Sequence, residues 1–391
     1  MVDPVKLCRI VPTGYPAFVI AQPTDPRRVV RISDFPATPE ELSPTWLTQL
    51  LARYGIDAPV AALSHRRIGT GQIGQNHRYS ITYNDPVAAA AAGAPASLVG
   101  KFVSPDPTSR STGLMMGIYA KEATFYQELA PLLAGKMRTA RTWAAEFDAS
   151  REATLVLMED LSPAVQGDQM EACSVATTEL AIEQLAGLHS TFWEHEVLNN
   201  AEVFPSHSDP TRAMILGHLM TQYWPMFVER YHDRLTPEMI DLGAHLTAGV
   251  ESWVQTRTGP LTLIHNDYRA DNLMVGDGWT VAVDWQTVSV GFGGSDLGYF
   301  LGASLLPNDR RAHQERLIDR WHSLLLHNGV RAYGRDTAWD DYRNGQFSGV
   351  ITAVVSSMIT QRTDRGDEMF WAMAGRHLET ALETDAASLL P

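Results

Sequence analysis

The segment HNDYRADN, residues 265–272, carries the strongest structural signal in this sequence. His265, Asp267 and Asn272 follow the spacing H-x-D-x4-N, and a short apolar run that resembles a strand lies on each side. Further along the chain, the run VAVDW places Asp284 at the end of another strand-like run. Two carboxylates and an amide are therefore predicted to converge at one end of adjacent short strands.

These side chains suit the transfer of a phosphoryl group. The carboxylate of Asp267 can accept a hydrogen bond from an attacking hydroxyl group and orient that group toward a γ-phosphate. Asn272 and Asp284 offer the hard oxygen ligands that Mg²⁺ prefers. We interpret His265 as a structural brace of the loop, because Asp267 is better placed to act as the base. A metal-dependent hydrolase is the weaker alternative, since it would need further histidine ligands nearby.

A third acidic position, Asp296, lies in the segment GFGGSDLGYF that begins at Gly291. It comes just before an apolar stretch with helical character. A carboxylate at that place is expected to cap the helix by accepting backbone N–H bonds at its N-terminus. We therefore expect Asp296 to give structural support rather than to react.

A glycine-rich segment, GTGQIG, begins at Gly69 and fits the pattern G-x-G-x-x-G. Dinucleotide sites and the phosphate loops of triphosphate sites share this pattern, but a dinucleotide loop opens a helix. Here the loop precedes RYSITY, which alternates like a strand. Such a loop can lay backbone N–H groups over phosphates, because glycine allows a close approach. A hairpin turn without a ligand is the alternative. The expected nucleotide-binding residues of the loop are Gly69, Thr70, Gly71, Gln72 and Gly74.

Lys101 lies inside the apolar run LVGKFV, where an ammonium group is costly to bury without an anionic partner. A lysine that reaches the phosphates from the third strand, held by a glutamate of the next helix, explains this position. Glu122 is the predicted partner because it lies one turn before an aromatic stripe, and Glu128 is the second choice. The alternative is a lysine that snorkels from an edge strand beside a solvated glutamate.

The elements around these motifs predict an α+β fold with two lobes, because strands and helices are segregated along the chain. Residues 1–60 would form an N-terminal extension with one helix from Pro44 to about Tyr54. Residues 61–161 would form a lobe with an antiparallel sheet and a helix, and residues 162–391 a larger, mostly helical lobe. Strands are predicted at 64–68, 78–83, 98–103, 141–147, 154–158, 261–264, 273–275 and 281–283, and a further helix at 114–132.

The composition excludes several classes of protein. The chain has 391 residues, of which 45% are hydrophobic and 19% charged, as in ordinary globular proteins. Its net charge of -14 gives no electrostatic basis for binding nucleic acid. Cys8 and Cys173 are too few for a disulfide framework, which suits a reducing compartment. The apolar runs are too short to cross a membrane, and the first residues lack a secretory pattern. We expect a cytoplasmic protein with neither a nucleic-acid nor a membrane partner.

Taken in this order, the motifs resemble the aminoglycoside phosphotransferase-like superfamily, which shares the two-lobed fold of protein kinases and includes choline, fructosamine and homoserine kinases. The resemblance covers roughly residues 60–385, includes the run LVLMEDL, and is closest to the ecdysteroid kinase-like branch. It implies ATP or GTP as co-substrate and Mg²⁺ as cofactor. It also implies a hinge at residues 158–161 whose backbone binds the purine. The implied site residues are Asp267 as base, Asn272 and Asp284 as Mg²⁺ ligands, Lys101 with Glu122 as the phosphate-positioning pair, and Glu159 and Leu161 in the hinge.

The sequence says less about the acceptor. The resemblance implies a hydroxyl group of a small molecule, and the aromatic residues between positions 161 and 261 favour a walled cleft, although most of them are expected to be helix core. The aromatic and methionine content of this region and the resemblance to the ecdysteroid kinase-like branch favour an apolar alcohol such as a steroid over an aminoglycoside. A protein kinase fits less well, because there is little room for an activation loop after Asp284. A catalytically inactive nucleotide-binding module is the remaining alternative. One departure from many relatives is Asn266, where they have glycine.

Overall fold

The computed structural model describes residues 29–69, 73–200 and 208–391, which form two compact units. The first unit contains the described residues up to Ala134, together with Thr139–Ser162 and Asp284–Thr287. The second unit contains Gly135–Arg138, Pro163–Val283 and Val288–Pro391. Residues 1–28 of the predicted N-terminal extension, which include Cys8, lie outside the described residues.

The first unit is built on a five-stranded antiparallel sheet with the strand order β1-β2-β3-β5-β4. All five predicted strands of this region are confirmed: four have somewhat longer bounds, and β4 is shifted by one residue. Because β3 lies between β2 and β5, Lys101 stands on an interior strand, opposite Asn76 and Val156, and not on an edge. The strands are β1 (Val60–Ile68), β2 (Gly74–Tyr83), β3 (Ser97–Val103), β4 (Thr142–Asp148) and β5 (Ala153–Glu159).

The described helices of the first unit are short. They are α1 (Pro44–Arg53), α2 (Pro86–Ala91), α3 (Pro107–Met115) and α4 (Ile118–Thr124). Helix α1 starts where predicted, since the Ser43 side chain accepts a hydrogen bond from the Trp46 backbone N–H at 3.2 Å. The single helix predicted over 114–132 is wrong. Gly117 adopts a left-handed conformation with φ 66°, which interrupts the helix, and a π-helical turn at Phe125–Leu129 follows α4.

The second unit is mainly helical, as predicted, so the α+β class is confirmed for the described chain. Its central helices bury an apolar core that contains Trp224, Phe227 and Tyr231. These aromatic residues are therefore helix core rather than the walls of a cleft. None of the described helices is long and apolar enough to span a membrane. The helices are α5 (Val175–Thr191), α6 (Pro210–Arg230), α7 (Pro237–Thr256), α8 (Gly293–Ser304), α9 (Pro307–His327), α10 (Arg335–Ile359) and α11 (Asp364–Glu383).

Short strands in the second unit frame the HNDYRADN segment. The three predicted runs near this segment are confirmed as strands, while two further strands of two and three residues were not predicted. One antiparallel pair joins β7 and β10, and a three-stranded sheet has the order β6-β8-β9. These strands are β6 (Val165–Gln166), β7 (Thr262–Ile264), β8 (Leu273–Gly276), β9 (Trp279–Ala282) and β10 (Ser289–Gly291).

Candidate active site

Asp267 lies on the loop between β7 and β8 and is held by the asparagine that the motif predicted. The Asn272 side-chain amide donates to Oδ2 of Asp267 at 2.8 Å and to its backbone carbonyl at 2.9 Å. Asn272 is buried, whereas the Asp267 side chain keeps 23% of its surface exposed. The motif spacing therefore brings these two side chains together and leaves the carboxylate accessible.

Two further residues that the sequence analysis missed hold the same carboxylate. The Tyr299 hydroxyl donates to Oδ1 of Asp267 at 2.7 Å, and Nε of Arg269 lies 3.2 Å from Oδ1. Burial, reinforced by the Asp267 carboxylate, raises the pKa of Tyr299 well above its ordinary value, so this phenol stays a donor. Burial alone would lower the pKa of Arg269, but Asp267 raises it overall. We call Asp267, Arg269, Asn272 and Tyr299 the aspartate cluster.

Asp296 supports the loop in a way that differs from the prediction. It lies inside α8, whose N-cap is Phe292, so it does not cap that helix and the predicted capping is wrong. Its buried carboxylate instead accepts the backbone N–H groups of His265 at 2.6 Å and Asn266 at 2.9 Å. A negative group at this place fixes the backbone just before Asp267.

Asn266 and His265 complete the loop. Asn266 has φ 64°, the left-handed region that asparagine tolerates better than most residues, which explains how it can replace a glycine. The buried His265 ring places Nε2 3.1 Å from the carbonyl oxygen of Val283. This contact ties the loop to the end of the neighbouring chain segment, and the bracing role of His265 stays a prediction.

The first unit contains a second cluster of polar side chains, centred on Lys101. Its Nζ lies 2.9 Å and 2.7 Å from the two carboxylate oxygens of Glu122, and 2.7 Å from Oδ1 of Asp284. Burial would lower the pKa of Lys101, but the carboxylates of Asp284 and Glu122 raise it overall, so the lysine stays charged. The second choice of partner, Glu128, instead pairs with Arg31 at 2.6 Å. We call Lys101, Glu122 and Asp284 the lysine cluster.

The segment that carries Asp284 is anchored within the first unit. The Trp285 ring stacks on Phe125, with the ring centres 3.7 Å apart and the planes 8° from parallel. Asp284 has φ 68°, a left-handed conformation, and its side chain is 39% exposed. The backbone turn and the stacked ring thus fix the direction of a carboxylate that keeps access to solvent.

The glycine-rich loop joins two antiparallel strands, β1 and β2, which contradicts the strand-to-helix turn of a dinucleotide site. Gly69 has φ 70°, as a glycine turn requires. A side chain at Gly74 would lie 3.3 Å from Cε of Lys101, so the backbone passes close to the lysine. The middle of the loop, formed by Thr70, Gly71 and Gln72, lies outside the described residues.

The predicted hinge, residues 158–161, begins within the last two residues of β5 and continues beyond the strand. The Glu159 backbone N–H donates to the Arg141 carbonyl at 2.8 Å, so this group is already used. The buried Asp160 side chain pairs with Arg78 at 3.0 Å and accepts a hydrogen bond from Ser97 at 2.9 Å. The contacts of Asp160 fix the hinge backbone, which includes Leu161.

The donor chemistry fits Mg²⁺ better than a softer metal. Asn272 and Asp284 carry amide and carboxylate oxygens, the hard donors that Mg²⁺ prefers, and Mg²⁺ commonly keeps water and phosphate ligands besides one or two protein oxygens. Within the described part of the chain, no three histidine, cysteine or acidic side chains form a metal-binding group.

Comparison with known protein families shows the family of this chain. The ecdysteroid kinase-like family matches residues 78–331, about two thirds of the chain. This chain belongs to the ecdysteroid kinase-like family. The resemblance noted in the motifs is thus confirmed, and this ecdysteroid kinase-like protein is a small-molecule kinase. None of the curated proteins matches the chain.

Solved structures agree with the fold of this ecdysteroid kinase-like protein. An ethanolamine kinase from Plasmodium vivax is 11% identical, with 85% of this chain and 87% of that chain covered and a TM-score of 0.51. A choline kinase from Cryptosporidium parvum Iowa II is 10% identical, with 84% and 92% covered and a TM-score of 0.51. Both are small-molecule kinases by name, and the likeness shows a shared kinase-like fold.

Proposed function

We propose that this small-molecule kinase transfers the γ-phosphate of ATP or GTP to a hydroxyl group of its acceptor, with Asp267 as the catalytic base. The observation that carries the proposal is the aspartate cluster, where a carboxylate stays accessible while Asn272 and Tyr299 hold both of its oxygens. A carboxylate fixed in this way can accept the hydrogen bond of an attacking hydroxyl group and orient it for in-line attack.

The lysine cluster supports a nucleotide site. Lys101 would bind the α- and β-phosphates, and Glu122 would keep its ammonium group in place. Gly69 and Gly74 frame a loop whose backbone would approach the phosphates, with Thr70, Gly71 and Gln72 as proposed members. In the hinge, the Glu159 carbonyl and the Leu161 backbone would bind the purine.

Asn272 and Asp284 would hold Mg²⁺ through hard oxygen atoms. When bound, this ion supplies positive charge that neutralises the β- and γ-phosphates. The chain's own residues then have two tasks: Lys101 binds phosphate oxygens, and Asp267 orients the acceptor hydroxyl and receives its proton. His265 and Asp296 would hold the loop backbone in support of this geometry.

The acceptor is proposed to be an apolar alcohol such as a steroid. This choice rests on the ecdysteroid kinase-like family and on the aromatic and methionine content of residues 161–261. The aromatic core of the second unit weakens the second argument, because Trp224, Phe227 and Tyr231 are buried in it. An aminoglycoside remains the alternative acceptor class. A cytoplasmic location without nucleic-acid partners is also proposed, from the low cysteine content and the net charge of -14.

The decisive test is the variant Asp267→Ala. We expect Mg-nucleotide binding to stay near the wild-type value and phosphoryl transfer to fall by orders of magnitude, because only the orientation of the nucleophile is lost. ADP release from MgATP, with water and a panel of steroid alcohols as acceptors, measures the transfer. Asp277→Ala, in the exposed turn between β8 and β9, is the matched control and should keep full turnover. Unchanged turnover in Asp267→Ala would contradict the assignment of the base.

A further inference from the structure

The contacts of Asp267 are unevenly divided between its two oxygens. Oδ1 accepts a hydrogen bond from the Tyr299 hydroxyl at 2.7 Å and another from Nε of Arg269 at 3.2 Å. Oδ2 accepts one from the Asn272 amide at 2.8 Å and a longer one from the same Nε of Arg269 at 3.4 Å. Each carboxylate oxygen has two lone pairs, and among the described residues the longest of these four hydrogen bonds, 3.4 Å, is the one from Arg269 to Oδ2. Oδ2 is therefore the oxygen held less tightly.

Arg269 is itself fixed from its far end. Its Nη1 atom pairs with the Asp271 carboxylate and lies 3.7 Å from the sulfur of Met369. The other oxygen of Asp271 accepts the backbone N–H of Gln169 at 2.8 Å. The guanidinium group therefore has a fixed position from which it faces Asp267, and only 16% of the side chain is exposed.

Tyr299 is fixed by the packing of its helix. At the preceding residue, Gly298, a side chain would lie 2.2 Å from the carbonyl oxygen of Tyr342, so α8 approaches the backbone of α10 without room for movement. Tyr299 itself is buried and lies three residues after Asp296, on the same face of the helix. One face of α8 thus supports both the loop backbone and the carboxylate.

We propose that Arg269 and Tyr299 are positioning residues that hold the Asp267 carboxylate mainly through Oδ1, so that Oδ2, which has the longest of the four hydrogen bonds, is the oxygen that accepts the hydrogen bond of the acceptor hydroxyl. This inference rests on the proposed function and adds the geometry of the base to it. Neither residue contacts the acceptor in this scheme. They keep the carboxylate in one rotamer, and a small misplacement of a catalytic group can cost about a hundredfold in rate.

The test uses three variants of the full chain. Tyr299→Phe removes one hydroxyl group. Arg269→Met removes the positive charge and nearly keeps the length of the side chain. Arg269→Lys keeps a positive charge but lacks the planar guanidinium group. We expect kcat for ADP release from MgATP to fall about tenfold in Tyr299→Phe and about 10- to 100-fold in Arg269→Met. Arg269→Lys should recover part of the loss. The KM for MgATP should change less than about twofold in all three, because the nucleotide-binding residues are untouched.

The second unit contains a matched control. The Tyr333 hydroxyl donates to Asp341 at 2.8 Å, and Arg257 pairs with the same carboxylate at 3.2 Å. Tyr333→Phe therefore removes the same kind of buried hydrogen bond outside the aspartate cluster. We expect it to lower the thermal unfolding temperature no less than Tyr299→Phe does, but to leave kcat at the wild-type value.

A double variant separates positioning from general damage. If Tyr299 acts through Asp267, adding Tyr299→Phe to Asp267→Ala should lower kcat no further. Independent, multiplying losses would overturn the inference, and so would an equal loss of kcat in Tyr333→Phe. Wild-type kcat in Tyr299→Phe and Arg269→Met, with a large loss in Asp267→Ala, would overturn the inference and leave the proposed function standing. Full turnover in Asp267→Ala, or a wild-type chain that releases no ADP, would reject the proposed function and the inference with it.

Discussion

At the scale of single residues, two left-handed backbone positions shape the proposed site: Asn266 just before the base, and Asp284 in the lysine cluster. Left-handed conformations cost most residues about 1–2 kcal/mol, and asparagine and aspartate pay less because their short polar side chains can bond locally. The chain thus keeps polar side chains at turns that glycine would form more easily. The backbone N–H of Asn266 is used as well, since it donates to Asp296.

The backbone of Asn266 leads to a prediction about stability. Asn266→Gly should change the free energy of unfolding by less than about 0.5 kcal/mol, because glycine adopts a positive φ freely. Asn266→Ala should lower it by about 1 kcal/mol, and Asn266→Val by more, since a β-branched residue is least tolerant of this region. Urea unfolding of the three variants measures the order of their free energies of unfolding. Equal stability of the glycine and valine variants would show that the turn is not strained.

The residue scale also shows what sequence could predict. The Lys101–Glu122 contact was predictable because a buried ammonium group demands an anion and one face of a helix offered it. The meeting of Asp267 with Asn272 followed from the motif spacing. Tyr299 was not predictable, because its contact with Asp267 spans 32 positions and depends on how α8 packs. Arg269 lies within the motif, but nothing local shows that its side chain turns back toward Asp267.

At the scale of elements, β4 carries a carboxylate with an unusual titration. Burial raises the pKa of Glu146 to about 7, although its hydrogen bond from the Ile32 backbone at 2.6 Å and the charges of Arg31 and Arg53 oppose the rise. A raised pKa means that the folded chain holds this proton more tightly than the unfolded chain. The resulting stability is complete below about pH 4.5 and is lost as the pH rises through about 7.

Glu146→Gln tests this titration. Below about pH 4.5 Glu146 is mainly protonated in both the folded and the unfolded chain, so the difference in free energy of unfolding between the variant and the wild type should not depend on pH. As the pH rises to 8, the wild type must hold a buried charge, so the variant should become progressively more stable than the wild type. Urea unfolding between about pH 4 and 8 measures the difference. Glu171→Gln, at an exposed position, should show no such trend, and a constant difference for Glu146→Gln would refute the assignment.

The contact between α6 and α7 gives a second prediction at this scale. A side chain at Gly243 would lie 2.0 Å from the Trp224 ring, whereas at Gly249 of the same helix the nearest atom is 3.7 Å away. Gly243→Ala should therefore lower the free energy of unfolding by about 1–3 kcal/mol through overpacking. Gly249→Ala should raise it by about 0.4–1 kcal/mol, because alanine favours the helix. Thermal or urea unfolding measures whether each variant is less or more stable than the wild type. Destabilisation by both variants would contradict the packing argument.

The predictions of strands and helices were incomplete or wrong where the local sequence pattern is weakest. Strands of two or three residues, such as β6 and β10, are too short to show an alternating pattern, and they exist because neighbouring strands pair with them. The helix over 114–132 was predicted from apolar spacing that continues on both sides of Gly117. Apolar residues continue after the break, since Ile118, Tyr119 and Ala123 are buried in α4, so periodicity alone could not reveal the break.

At the scale of the whole molecule, segregation of strands and helices along the chain predicted the α+β class. Composition and charge set limits on partners but say nothing about the acceptor. Acceptor specificity depends on the side chains that line a binding site, and aromatic residues that suggested a cleft, Trp224, Phe227 and Tyr231, are buried in the core of the second unit. Fold class therefore follows from patterns spread over many residues, whereas acceptor specificity depends on a few whose exposure is a property of the folded chain.

Nucleotide binding should be visible in the stability of the entire chain. A ligand at 100 times its dissociation constant adds about 2.7 kcal/mol to the free energy of unfolding. We expect thermal unfolding to shift upward with MgATP or MgGTP, to shift less with the triphosphate in excess EDTA, and to stay unchanged with NAD or NADP. A shift with NAD alone would contradict the strand–loop–strand geometry around Gly69 and Gly74 as a triphosphate site.

Asp284→Ala separates the contribution of the metal to the thermal shift from that of the nucleotide. The variant loses a proposed Mg²⁺ ligand but keeps the pair of Lys101 with Glu122, so the triphosphate can still reach the lysine. We therefore expect its thermal shift with ATP to be the same with and without Mg²⁺, whereas the control Asp277→Ala should keep the wild-type response. An unaltered Mg²⁺ response in Asp284→Ala would refute its role as a ligand. Loss of every ATP shift, with or without Mg²⁺, would instead show that Asp284 acts by holding Lys101 in place for the phosphates.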